Sequence, residues 1–186
     1  YNRGNAMLKL LQLEATLASY NQAIAFNPGN AEAYFNRAIV LEKLDQLEAA
    51  VDNYDQAIAL NPAFADAYYN RGNILMRLMR PEPAIDSYNK VIAAKPDHVE
   101  AYNNRSVALK KLDQLEAAIE SCDQAISLNP GYAEAYVNRG NALMGLKLLE
   151  TAIESLNQAI AINPNHAEAY NNLGAAQEKL GQLSAA

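Results

Sequence analysis

Five of the seven prolines, Pro28, Pro62, Pro96, Pro130 and Pro164, stand 34 residues apart. The text around each recurs, from AFNPGNAEAY and ALNPAFADAY to AINPNHAEAY. A fixed period in this range means that one supersecondary unit is copied and stacked, because a single copy cannot bury its own apolar face. With proline placed at position 32, full repeats cover 31–64, 65–98, 99–132 and 133–166, and partial ones cover 1–30 and 167–186 of a single array.

Within the 31–64 repeat, Tyr34, Ala38, Leu41 and Leu44 recur at steps of three or four, as do Leu47, Ala50, Val51, Tyr54, Ala57 and Ile58. These are two helical stripes. Asp45 and Glu48 have the D-x-x-E spacing of an N-terminal cap, repeated by Asp113 and Glu116, so a turn is predicted between two antiparallel helices. The Asn-Pro pair ends the second helix, because proline disfavours helical geometry in the residue before it. Pro81 and Pro83 fall in the turn and first turn of a second helix, where their missing N–H groups cost nothing. Small residues at position 8 (Ala38, Gly72, Ser106, Gly140, Gly174) and alanine at position 20 predict close helix approach.

With the aromatic at position 4 and those at position 24 (Tyr20, Tyr54, Tyr88), this pattern resembles the tetratricopeptide repeat over the whole chain. Cys122 and Leu156 depart from it at position 24, and Gln177 at position 11. The resemblance implies an all-α, right-handed superhelical solenoid of antiparallel helix pairs whose first helices line a concave groove. It implies a protein- or peptide-binding scaffold that holds an extended partner segment.

Positions 2, 6, 9 and 13 share one face of the first helix. Position 6 is asparagine in every copy: Asn2, Asn36, Asn70, Asn104, Asn138 and Asn172. Asparagine is a mediocre helix former, and its amide can both donate to and accept from an extended backbone. Two readings stand, a ladder for a bound peptide or hydrogen bonds between repeats, and the ladder is preferred. Asn5, Asn73 and Asn141 at position 9, Tyr69 at position 5, and Lys43, Arg77 and Lys111 at position 13 complete the candidate set. Position 2 is acidic throughout (Glu32, Asp66, Glu100, Glu134, Glu168), and position 13 is basic except at Gly145. Acids first and bases last also suit a helix dipole, so these two columns carry two readings. Arginine recurs at position 7 (Arg3, Arg37, Arg71, Arg105, Arg139), where a structural role facing the next repeat is expected.

A second period lies inside the first. Position 9 alternates Asn5, Ile39, Asn73, Val107 and Asn141, which points to duplication of a 68-residue unit and to binding pockets at every second repeat. Lysines at positions 2 and 5, the clamp of the family's chaperone-binding members, are missing. The asparagine column is similar to that of the repeat arm of O-linked N-acetylglucosamine transferases, so an alternative is a substrate-recognition arm of a larger enzyme. A third is a scaffold that self-assembles by end-to-end stacking, a homo-oligomer.

Other chemistry is not expected. A net charge of −6 argues against nucleic acid as a partner. No apolar run approaches the ~20 residues that span a bilayer. Cys122 is alone and reads as a buried thiol in a reducing, cytoplasmic setting, and His98 and His166 read as loop residues. No catalytic constellation, metal site or cofactor is expected. Tyr1-Asn2-Arg3-Gly4-Asn5 matches text that begins inside a helix elsewhere, and the chain stops at Ala186 where other repeats begin a second helix. Both ends therefore read as cuts through repeats in a longer protein, with any targeting segment outside.

Overall fold

The computed structural model describes residues 2–184, with side chains from 10 to 182. Among these, ten helices form and no strand. They fall into two compact units, 1–94 and 95–186. The first holds α1 (Asn2–Phe26), α2 (Ala31–Lys43), α3 (Leu47–Leu60), α4 (Ala65–Arg77) and α5 (Pro81–Ala94). The second holds α6 (Val99–Lys111), α7 (Leu115–Leu128), α8 (Ala133–Gly145), α9 (Leu149–Ile162) and α10 (Ala167–Ser184). Within each unit the two helices of a full repeat pack on each other, and each pair packs on its neighbour. The result is an all-α helical repeat array.

The turn inside each repeat differs from the expected cap. Asp45 and Asp113 are not N-caps: they take φ 58°, as Met79 and Lys147 take 57° and 61°. All four occupy position 15. The next N–H reaches five residues back, as from Gln46 to Leu41 O (2.9 Å) and from Leu148 to Leu143 O (3.0 Å), while position 15 itself donates three residues back. This is a Schellman ending of the first helix, and aspartate tolerates its left-handed residue better than most side chains. Glu48 and Glu116 remain in the first turn of the second helix, at its positive end.

Two terminal segments depart from the helix-pair expectation. α1 continues unbroken through Leu11, and α10 through Gly181, both at position 15.

The Asn-Pro pair ends the second helix as predicted, with Asn61, Asn129 and Asn163 leaving the helical region at φ −135°, −139° and −127°. The asparagine has a further role. Its Oδ1 accepts from the N–H two residues on, across the proline, at Asn27 (3.1 Å), Asn61 (3.2 Å), Asn129 (3.0 Å) and Asn163 (3.2 Å). These Asx turns fix the entry to the next first helix.

The core follows positions 8, 20 and 24. Ala50, Ala84, Ala118 and Ala152 are buried, as are Tyr54, Tyr88, Cys122 and Leu156. A Cβ on Gly72 would lie 2.7 Å from the Tyr88 ring, and one on Gly140 would lie 2.8 Å from Leu156 Cγ. Position 8 is therefore small because position 24 of the same repeat presses on it. Gly174 has no neighbour of this kind. Gly72→Val should lose about 1–3 kcal/mol by overpacking, whereas Gly174→Val should stay within about 0.5 kcal/mol of the parent. Urea unfolding of both variants measures the contrast.

Candidate functional site

The position 7 arginines tie the first helices to the second helices beside them. Arg71 Nε donates to Asp55 on the preceding second helix (2.5 Å), and Nη1 donates to Ser87 on its own (2.8 Å). Arg139 repeats this with Asp123 (2.6 Å) and Ser155 (2.6 Å). Arg37 bridges Asn21 (3.0 Å) and Asn53 (2.6 Å), and Arg105 donates to Ser121 (3.1 Å). The column is structural, as expected, but it reaches back to the preceding repeat rather than on to the next.

With that register fixed, position 6 falls once per first helix. Asn36 and Asn70 in the first unit, and Asn104, Asn138 and Asn172 in the second, are all half-buried. Asn2 and Asn5 lie outside the residues whose side chains are described. In the second unit Asn138 Nδ2 donates to Asn103 Oδ1 (2.8 Å), and Asn103 Nδ2 donates to Asn104 Oδ1 (3.3 Å). The inter-repeat hydrogen bond thus exists at one step of the column, through buried Asn103 at position 5. In the first unit position 5 is aromatic. Tyr69 is half-buried with its ring 6.3 Å from that of Tyr88, and Phe35 lies 5.9 Å from Tyr54.

Position 9 is also engaged. Tyr88 Oη donates to Asn73 Oδ1 (2.9 Å), and Asn141 Nδ2 approaches Glu168 Oε1 (3.5 Å). Tyr54 Oη is buried without a hydrogen bond; Asn70 is near enough to pull its pKa down slightly but does not complete one. Burial raises the pKa of both phenols well above the tyrosine range, with Glu42 adding to the effect at Tyr54 and Tyr69 at Tyr88.

A cavity of about 110 Å³ opens on this face of the second unit, lined by Asn103, Glu134, Val137, Asn138, His166 and Glu168. Its volume suits one side-chain head group rather than a whole ligand. One N–H of each of Asn103, Asn138 and Asn141 is committed within the protein. The two exposed carboxylates therefore dominate the opening, which favours a cationic donor. The sequence pattern marks these position 2 acids as a column without assigning them a site. His98 and His166 lie in the loops between helices, as expected, and His166 also lines this cavity. His98 caps α6 by accepting from Ala101 N–H at Nδ1 (3.3 Å), the same nitrogen that lies 3.2 Å from Glu100.

The position 13 column divides. Lys43 and Lys111 are exposed. Arg77 instead pairs with the preceding turn, Nη1 with Glu42 (3.3 Å) and Nη2 with Asp45 (2.8 Å). Gly145 interrupts the column, and a Cβ built there would lie 2.7 Å from Leu115 Cδ1, so a longer side chain would require Leu115 to shift.

Among the described residues no group of three His, Cys, Asp or Glu could hold a metal ion, and no helix is long and apolar enough to cross a membrane. Cys122 is buried, and desolvation pushes its thiol up to about 11. Its neutral form is favoured by folding, so its stability contribution holds below the unfolded thiol pKa and falls as pH rises toward 11. At pH 8 a thiol-reactive disulfide reagent should label the folded chain at least tenfold more slowly than the chain in denaturant, in line with a thiolate fraction lowered by burial.

A TPR repeat family model matches residues 43–78, 108–147 and 148–181. Tetratricopeptide repeat models match 65–98, and 19–52 with 87–120. No curated protein matches the chain. Among solved structures, MamA from Desulfovibrio magneticus RS-1 is similar in fold, with 22% identity over 89% of this chain and 94% of its own, at a TM-score of 0.79. YrrB, described as a TPR protein with an unusual peptide-binding site, has 28% identity over 87% and 84%, at 0.73. The second TPR domain of human RPAP3, solved with the HSP70 peptide SGPTIEEVD, has 29% identity over 61% and 94%, at 0.59.

Proposed function

Because the chain belongs to the tetratricopeptide repeat family, we propose that it is a protein-binding scaffold whose first helices hold an extended segment of a partner. The observation that carries this reading is the half-buried asparagine repeated at position 6 of every first helix whose side chains are described. Packed helices are about 8–10 Å apart, and an extended chain advances ~3.3 Å per residue. One amide then meets every second or third peptide residue. An amide that offers a donor and an acceptor suits a peptide backbone whatever its side chains.

Specificity comes from what lies beside the amides. In the second unit the cavity between Glu134, Asn138 and Glu168 accepts the head of a lysine or arginine side chain. In the first unit Phe35 and Tyr69 stand at the position occupied by Asn103 and Val137 in the second, and they offer apolar contact. Support for peptide binding comes from the similar structures: YrrB carries a peptide-binding site, and an RPAP3 domain was solved with a peptide. The role is one of binding rather than catalysis.

The Asn138–Asn103 bond favours a second reading, in which the asparagines join repeats to each other. The two readings part on the Asn104→Ala, Asn138→Ala double variant. Binding to lysine-bearing peptides selected from an array should weaken about tenfold or more, the equivalent of one or two lost hydrogen bonds. Affinity unchanged in a double variant of lowered stability would assign the column to repeat coupling instead.

A further inference from the structure

The far end of the first helices carries a second kind of chemistry. In the first unit Arg77, at position 13 of α4, crosses to the turn between α2 and α3 and pairs with Glu42 and Asp45, at positions 12 and 15. The turn between α8 and α9 meets α10 in the same frame but with other residues. Position 13 is Lys179, while positions 12 and 15 are Met144 and Lys147. Both acids are replaced, and the cation remains. With Leu149 and Gln182 these residues line a recess of about 270 Å³. Leu149 is buried in its floor, Met144 is half-buried, and Leu148 is exposed beside it. Lys147 and Lys179 are exposed, and neither has an ion-pair partner among the described residues.

We propose that this recess binds an acidic, aliphatic segment of a partner protein. A carboxylate of that segment takes, between Lys147 and Lys179, the place that Glu42 and Asp45 take against Arg77. An aliphatic side chain next to it covers Met144 and Leu149, where the flexible thioether adapts to the shape that enters. Two unpaired cations beside an apolar floor select for both features at once. A phosphate or polyanion would satisfy the lysines but leave the floor wet, which is why a protein segment is the occupant. The chain as a whole carries a net charge of −6, so attraction is local and falls with salt. The recess is separate from the cavity at Asn138 and does not depend on the reading of that cavity.

The test uses the full chain and a fluorescein-labelled peptide, Gly-Glu-Leu-Glu-Glu-Leu-Gly, with a twin in which each glutamate is glutamine. Anisotropy should show the acidic peptide binding at low salt, and the twin binding about tenfold more weakly or worse. Lys147→Asp introduces the aspartate that stands at this turn position in two other repeats, and aspartate tolerates the left-handed backbone there better than lysine does. It places a carboxylate in the preceding-turn position that pairs with the position 13 cation in the first unit, and should weaken binding by a similar factor, as should Lys179→Glu. The Asn104→Ala, Asn138→Ala variant should bind the acidic peptide as the parent does. The proposal is overturned if the acidic peptide does not bind, if the two peptides bind alike, or if either lysine variant retains full affinity. It is equally overturned if inorganic tripolyphosphate displaces the peptide at equal concentration. Sedimentation showing a dimer that Lys147→Asp dissolves would assign the recess to a second copy of the chain and overturn the proposal as well.

Discussion

The guanidinium at position 7 is the tie on which the register of the repeats depends. Each of Arg37, Arg71 and Arg139 reaches one residue of the preceding second helix and one of its own, so three helices are fixed by one side chain. The planar fork of arginine can do this because its donors leave in fixed, divergent directions, which an ammonium group does not offer. The guanidinium is also held by a ring of its own helix: Cζ of Arg37 and of Arg105 lies 5.3 Å from the ring centroids of Tyr34 and Tyr102. Burial lowers the pKa of Arg105, with Tyr102 and Glu120 opposing the change, and arginine starts so far above neutrality that it stays charged. In an array stabilised by nearest-neighbour contacts, such a bridge sets how one repeat sits on the next.

Once register is set, a residue type repeated every 34 positions becomes a column in space within each unit. The columns differ by end. Acids lie in the first turns, asparagines follow one turn later, and bases come last. The helix dipole favours that order, yet it does not explain where the charges are spent. Arg77 is used internally, a side chain in place of Gly145 would meet Leu115, and Lys147 and Lys179 are left beside an apolar recess. At the opposite end Glu134 and Glu168 flank a cavity whose neighbouring amide donors are partly committed. The first helices of the second unit therefore offer acceptors at one end and donors at the other.

Much of this was legible in the chain itself. The proline period gave the helix pairs, and the small residues at position 8 anticipated the contact that Gly72 makes with Tyr88. Prolines 81 and 83 fell at the start of α5 as read. The D-x-x-E pattern misled because Asp45 suits a left-handed helix ending as well as it suits a cap, and a single repeat does not distinguish the two. The Asx turn at each Asn-Pro was hidden behind the stronger signal of proline. The partners of the arginines lie 16 residues away on either side, and those of Arg77 lie 32 and 35 away. Such links appear only when neighbouring repeats are stacked, as does the place of His166 beside Asn138.

The account stands on the position 6 asparagines touching a bound peptide. Side-chain amide resonances in ¹⁵N spectra report that contact directly as a lysine-bearing peptide is titrated in. The account predicts saturable shifts at Asn104, Asn138 and Asn172, larger than those of the Asn-Pro asparagines 129 and 163, which are held in their own turns. Shifts confined to Asn129 and Asn163, or to the second helices, with the position 6 amides unmoved at saturation, would contradict it.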